Sequence, residues 1–311
     1  MGKRAFVFPG QGAQYIGMAK EFYDQMPESR GIFALASEAS GLDIAALCFE
    51  ENDKINITEY TQICMLTAEA AILKALEKEG IRPDVTAGLS LGEYGALLVA
   101  GVFDWRDAFS LVRKRGIYMQ EAVPAGGAMA AVMGLHAPVI EDICRKSEGI
   151  VAVANYNCPG QIVISGEEAA IKAAGAACLE SGAKRVIPLK VSGPFHSPML
   201  SGAGEKLGSE LEAVAVHPVQ IPYVANVLAD YVSDATMVRD LLRLQVSSPV
   251  RWQQSVERMI ADGVDEFVEI GPGRTLTGFV KKINRNVRAV SIDKMEDFYQ
   301  YLEMEEKHAD Q

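Results

Sequence analysis

The 311 residues suffice for one large domain with a smaller insert, or for two modest domains. With 49% hydrophobic and 23% charged residues the composition is that of an ordinary globular protein with a real core, and a net charge of −11 excludes attraction to nucleic acid through a global positive field. The five cysteines (Cys48, Cys64, Cys144, Cys158, Cys178) are scattered, odd in number and without CxxC spacing, which argues against a disulfide framework or a zinc site and fits a reducing cytoplasm.

Ala5 to Phe8 is a short apolar run closed by Pro9-Gly10-Gln11-Gly12, which reads as a buried strand entering a tight glycine turn. The run is too short for a signal peptide, and no stretch approaches the ~18 apolar residues of a membrane span. Helical periodicity is expected over Met18–Met26 and over Glu69–Glu79, the latter ended by Gly80 and Pro83. Val85–Leu89 is a short strand and Leu91–Ala100 a helix of small residues. Such alternation predicts a mainly parallel sheet covered by helices.

From Ala128 the rhythm changes. Strands are expected at Ala128–Met133, Ile150–Ala154, Gln161–Ser165 and Arg185–Val191, with helices at Ala137–Lys146 and Glu167–Glu180 and a turn at Cys158-Pro159-Gly160. The order β-α-β-β-α-β is that of a ferredoxin-like unit. The expected fold is therefore α/β: a large α/β-hydrolase-like domain (1–124 and 194–311) with a small ferredoxin-like domain (125–193) inserted into it. Beyond Gly202 long helices and short strands such as Phe267–Ile270 return, and Glu303–Gln311 reads as a frayed acidic tail. Two basic clusters, Arg113-Lys114-Arg115 and Lys281-Lys282, are candidates for meeting an acidic partner, or else solvated helix faces.

Gly88-Leu89-Ser90-Leu91-Gly92 matches G-x-S-x-G between a predicted strand and helix. A serine on so sharp a turn needs small neighbours, and its hydroxyl then stands at a helix N-terminus, where free N–H groups favour a developing oxyanion. The alternative is a glycine-flanked serine in an ordinary turn. A nucleophilic serine needs a base, and there are four histidines. His308 falls in the polar tail, His136 after a strand on the surface, and His217 before Pro218 in an extended segment. His196 sits in Val191-Ser192-Gly193-Pro194-Phe195-His196-Ser197-Pro198, a proline-bounded loop directly after a strand, where a fixed base belongs. A purely structural histidine is the competing reading there.

These residues resemble one family nearly end to end: the malonyl-CoA:acyl-carrier-protein transacylases of fatty acid synthesis. The resemblance lies in Phe6 to Gly12 (F-x-F-P-G-Q-G), Gly88 to Tyr94 (G-H-S-L-G-E-Y), Arg115 to Gln120 (R-G-x-x-M-Q), Asn155 to Gln161 (N-x-N-x-P-G-Q), the histidine loop, and Glu269 to Gly273 (E-x-G-P-G). It implies Ser90 as nucleophile, His196 as general base, and Gln245 as the residue whose backbone carbonyl orients the histidine. It implies an oxyanion hole from the N–H groups of Gln11 and Leu91. Arg115 would bind the malonyl carboxylate, Phe195 would leave little room for an α-methyl branch, and Gln62 would line the same pocket or be a surface loop amide. Two departures stand out: Leu89 replaces the family histidine before the nucleophile, and Thr61-Gln62-Ile63-Cys64 replaces T-Q-P-A.

The implied reaction is ping-pong transfer of malonyl from malonyl-CoA to the phosphopantetheine thiol of acyl carrier protein. It needs no metal or bound cofactor and points to a cytoplasmic monomer with neither nucleic acid nor membrane as partner. The competing readings are a transferase serving a polyketide synthase in trans, a serine thioesterase or hydrolase, and a non-catalytic carrier-docking module. A hydrolase of the α/β type places an acid before a late histidine, whereas His196 comes mid-chain with no obvious acid partner. Gly10-Gln11-Gly12 is not a dinucleotide fingerprint, because Tyr15 occupies the third glycine's place. Gly271-Pro272-Gly273 reads as a structural turn, or as a guide for a pantetheine arm.

Overall fold

The computed structural model describes residues 2–123 and 125–309. Its strands are β1 Lys3–Phe8, β2 Val85–Gly88, β3 Gly127–Met133, β4 Val151–Cys158, β5 Gln161–Glu167, β6 Arg185–Pro188, β7 Tyr223–Ala225, β8 Asp230–Val232, β9 Val264–Ile270 and β10 Arg288–Ile292. A six-stranded sheet runs β10-β9-β1-β2-β7-β8, and a four-stranded sheet runs β4-β5-β3-β6. Pairing in the larger sheet is parallel except at the edge pair β7–β8.

The larger sheet is buried on both faces, as parallel sheets are. Along β1 the side-chain alternation sends Ala5 and Val7 into a cluster with Trp252, Val256 and Phe279. It sends Phe6 and Phe8 into the main core with Leu66, Tyr94 and Leu97. The small sheet is antiparallel and has the ferredoxin-like order. Ala130 and Val132 of β3 pack under the helices Ala137–Lys146 and Glu168–Glu180 with Ile140, Ile171 and Cys178. Met129 and Ala131, on its other face, join the main core. A backbone clasp adds to this contact: Tyr156 donates to the Val250 carbonyl at 2.9 Å, and Val250 to the Ala154 carbonyl at 2.8 Å.

Several elements differ from expectation. The helix expected from Glu69 spans Thr58–Lys78, and Thr61 to Leu73 is buried without interruption. With no solvent-facing stripe, the segment carries no amphipathic period to be read. The acidic end is not frayed as far as it is described: Met295–Ala309 is helical, and Glu305 pairs with Arg4 at 2.5 Å while Tyr301 is buried beneath the Arg4 guanidinium. Asp310 and Gln311 lie outside the described residues. Strand β6 stops at Pro188, short of Val191, and β9 begins at Val264, ahead of Phe267. Arg113-Lys114-Arg115 is not a basic patch. Arg113 pairs with Glu59 and Lys114 with Glu210, while Arg115 is fully buried.

Candidate active site

The elbow is built by close backbone contact. Strand β2 ends at Gly88, a helix begins at Gly92, and between them Ser90 takes a left-handed backbone conformation, φ 55°. A Cβ on Gly88 would overlap the Gly92 carbonyl group, and one on Gly92 would overlap the Phe8 carbonyl oxygen at the end of β1. Glycine is therefore required at both places by space, while Ser90 alone carries the strained dihedral.

The Ser90 Oγ lies 2.7 Å from His196 Nε2, and His196 Nδ1 lies 2.9 Å from the Gln245 carbonyl oxygen. Because a carbonyl only accepts, Nδ1 carries the ring proton and Nε2 is the acceptor for the serine hydroxyl. His196 is 3% exposed and also left-handed, φ 57°. Burial, reinforced by the Arg115 charge, pushes its pKa down to about 4, so the imidazole is neutral at pH 7 and free to take a proton.

Arg115 reaches the same serine from the helix Trp105–Ala122. Its guanidinium donates to Gln62 Oε1 at 2.7 Å, Gln245 Oε1 at 3.0 Å and Ser90 Oγ at 3.2 Å, and it lies 5.7 Å from the Tyr94 ring. No carboxylate lies within ion-pair distance of it among the described residues, and its Nε has no partner there. Gln62 is 1% exposed on a helix, so the surface-amide reading is overturned: the uninterrupted burial of that helix places it beneath Arg115.

A cavity of about 250 Å³ opens onto Ser90, His196 and Gln62, with Arg115 and Gln245 lying behind them. Gln11, Leu91, Gln62, Phe195, Leu89, Ser90 and His196 all line it. The backbone N–H groups of Gln11 and Leu91 donate to no acceptor among the described residues. The residue that breaks the family pattern, Leu89, lies against Gly10 and shares an apolar wall with Leu276 and Phe279. Asn155 and Asn157 also line the cavity, and the buried Asn157 Oδ1 has no partner among the described residues.

Sequence reasoning passed over Asn226 and treated Glu93 only as part of a motif. Asn226 follows β7, so it stands at the carboxyl end of a parallel strand, as do Gln11 after β1 and Ser90 after β2. That shared edge is the signal that could have found it. Among the described residues no group of His, Cys, Asp and Glu is placed to hold a metal ion.

Residues 5–297 match the acyl transferase domain family. The chain is 45% identical to the malonyl CoA-acyl carrier protein transacylase of Bacillus subtilis over 297 residues, 94% of each chain. Its structure is similar to that of the malonyl CoA-acyl carrier protein transacylase from Clostridium perfringens, with a TM-score of 0.96, 43% identity and coverage of 99% of this chain and 98% of that one. It is also similar to a malonyl-transacylase solved in complex with its type II PKS acyl-carrier protein, with a TM-score of 0.94, 40% identity and coverage of 97% and 99%. With one family matched over almost its whole length, and a histidine and an arginine both meeting the Ser90 hydroxyl, this chain belongs to the malonyl CoA-acyl carrier protein transacylase family of acyltransferases.

Proposed function

We propose that this enzyme moves malonyl from malonyl-CoA to the phosphopantetheine thiol of acyl carrier protein through a malonyl ester on Ser90, supplying fatty acid synthesis. The Oγ attacks the thioester carbonyl while its proton passes to His196 Nε2, 2.7 Å away. The C–S bond then breaks, and the departing thiolate takes the proton from His196 to leave as free coenzyme A. In the second half the carrier's thiol gives its proton to His196, attacks the ester, and releases Ser90 as the hydroxyl. The N–H groups of Gln11 and Leu91 are assigned to the oxyanion of each tetrahedral intermediate, where removal of one donor typically costs about 3–4 kcal/mol. The Gln245 carbonyl keeps His196 in the tautomer that both halves use.

One observation carries the choice of acyl group: a buried guanidinium 3.2 Å from the nucleophile, with no carboxylate at ion-pair distance among the described residues. A malonyl chain on Ser90 brings its free carboxylate to that guanidinium, which is a planar, charge-matched partner. Phe195, 7% exposed on the cavity wall, is assigned to exclude an α-branch. Each step uses side chains and backbone of this chain, with no resident cofactor or metal. The free, buried state of the cysteines supports a cytoplasmic enzyme, and the acidic net charge one without nucleic acid as partner; a monomer with no membrane partner is part of the same proposal. No described helix is long and apolar enough to cross a membrane.

Incubation with malonyl-CoA should add one malonyl to the intact protein by mass spectrometry, and Ser90→Ala should abolish the adduct. Label persisting on the variant would remove Ser90 as the nucleophile, and rapid release of free malonate without carrier protein would favour a hydrolase. The similarity to a malonyl-transacylase bound to a type II PKS carrier favours one second reading, a transferase serving polyketide synthesis. Comparing kcat/KM for carrier proteins of the two pathways separates them.

A further inference from the structure

A serine in the left-handed region is not self-supporting, since its neighbours must hold the dihedral against relaxation. The Ser90 backbone N–H donates to Asn226 Oδ1 at 2.6 Å, and Asn226 Nδ2 donates to the Gly88 carbonyl at 2.6 Å. One amide thus spans the turn on both sides of Leu89. Only one orientation of the side chain works, because the N–H of Ser90 needs an acceptor and the Gly88 carbonyl needs a donor. Asn226 is 1% exposed and does not line the cavity.

Asn226 is itself fixed. Its backbone N–H donates to Glu93 Oε2 at 3.1 Å, and the same oxygen accepts from Gln245 Nε2 at 2.7 Å. Gln245 Nε2 also donates to the Ser90 carbonyl at 2.9 Å, its Oε1 accepts from Arg115, and its backbone carbonyl holds His196. Nucleophile, base and arginine are therefore tied to one buried amide–carboxylate unit.

We propose that Asn226 is the positioning residue of the nucleophile elbow, acting through its paired bonds to the Ser90 N–H and the Gly88 carbonyl, with Glu93 and Gln245 aligning it to His196. The Ser90 N–H is thereby withdrawn from the oxyanion, leaving the unpartnered Leu91 and Gln11 N–H groups to meet it. The inference rests on the acyl-enzyme reading above for its natural substrate, but the geometry it describes concerns Ser90 itself.

Two probes separate those questions in wild type, Asn226→Ala and Asn226→Asp. Malonyl-CoA reports the rate of Ser90 malonylation. An aryl fluorophosphonate, which forms an O–P bond at the serine and expels fluoride with the hydroxyl proton, reports elbow reactivity without any malonyl recognition. Asn226→Ala should slow both reactions about 100-fold, the cost of misplacing reacting atoms by roughly an ångström, with the malonyl-CoA KM within about threefold. Asn226→Asp offers the same acceptor, and regains the donor to Gly88 only when protonated. Its rate relative to wild type should rise as pH falls, whereas the alanine variant stays slow at every pH. Rates are divided by the folded fraction from near-UV circular dichroism. Alanine rates within threefold of wild type, a loss confined to KM, or an aspartate variant that tracks the alanine one across pH would each overturn the proposal. A wild type that reacts with the fluorophosphonate and not with malonyl-CoA would overturn the malonyl reading and still decide the role of Asn226.

Discussion

Arg115 is fully buried, and among the described residues its guanidinium meets only neutral oxygens: two amides and the Ser90 hydroxyl. Desolvation pulls its pKa below the ordinary arginine value, with the nearby Glu93 and Tyr94 opposing that pull. A charge kept in that state favours whatever ligand brings a carboxylate, and breaking such a buried pair typically costs about 3–5 kcal/mol. Arg115→Met should therefore lower kcat/KM for malonyl-CoA by about a hundredfold or more while changing acetyl-CoA turnover far less. Competition between the two thioesters in one reaction checks this, and equal losses would assign Arg115 to the integrity of the elbow instead.

The helix Thr58–Lys78 contributes more than Gln62. Its Glu69 is wholly buried beside Gly95 and Gly271, and neither carboxyl oxygen has a partner among the described residues. Burial first, and the Glu269 charge second, hold Glu69 protonated well above the ordinary carboxylate range. Glu269 is the better-served neighbour, accepting from the N–H groups of Leu276 and Thr277 at the start of the helix Thr275–Ile283. A carboxyl whose folded pKa is raised stabilises the fold below its unfolded pKa, and that contribution is lost as pH rises. Each pH unit above the ordinary glutamate range through which the native state keeps that proton costs about 1.4 kcal/mol. Glu69→Met conserves the shape and removes the titration. Its stability advantage over wild type should grow as pH rises above the ordinary carboxylate range in urea unfolding. A gap that does not move with pH would mean that Glu69 is ionised in the native state.

Across the whole molecule the site's requirements are linked to global stability through His196. Its pKa falls from 6.5 to about 4 on folding, so between those values the unfolded chain binds the proton that the native state refuses. Stability from this group is complete above pH 6.5 and is lost as pH falls toward 4. The stability of wild type relative to His196→Gln should fall by about 3 kcal/mol between pH 7 and pH 4. Urea titrations at the two pH values measure it, and a difference that stays constant would show that His196 keeps an ordinary pKa. Glu93, raised to about 7 chiefly by burial, has the opposite sign, so its slope offsets that of His196 between about pH 4.5 and 6.5 in the wild type. The paired variants are needed because the summed curve hides both groups.

The elbow at Ser90, the loop of His196, the alternating strands and helices and the ferredoxin-like order of β3 to β6 were all legible in the chain itself. Each is a local pattern: glycine spacing, proline brackets, or a period of 2 or 3.6. The first turns of the helix Thr58–Lys78 were not legible, because a segment buried from Thr61 to Leu73 shows no polar face. Nor was the order of the acidic end, which Arg4 stabilises from 301 residues away in sequence through Glu305. The burial of Arg115 between two helices' amides, the placement of Gln62, and the clamp of Asn226 on Ser90 depend on chain segments far apart in sequence. Local residue types therefore determined that Ser90 could be a nucleophile. Only the tertiary structure decided what it faces, because the carboxyl ends of separate parallel strands converge on one edge and no spacing along a single segment records that convergence.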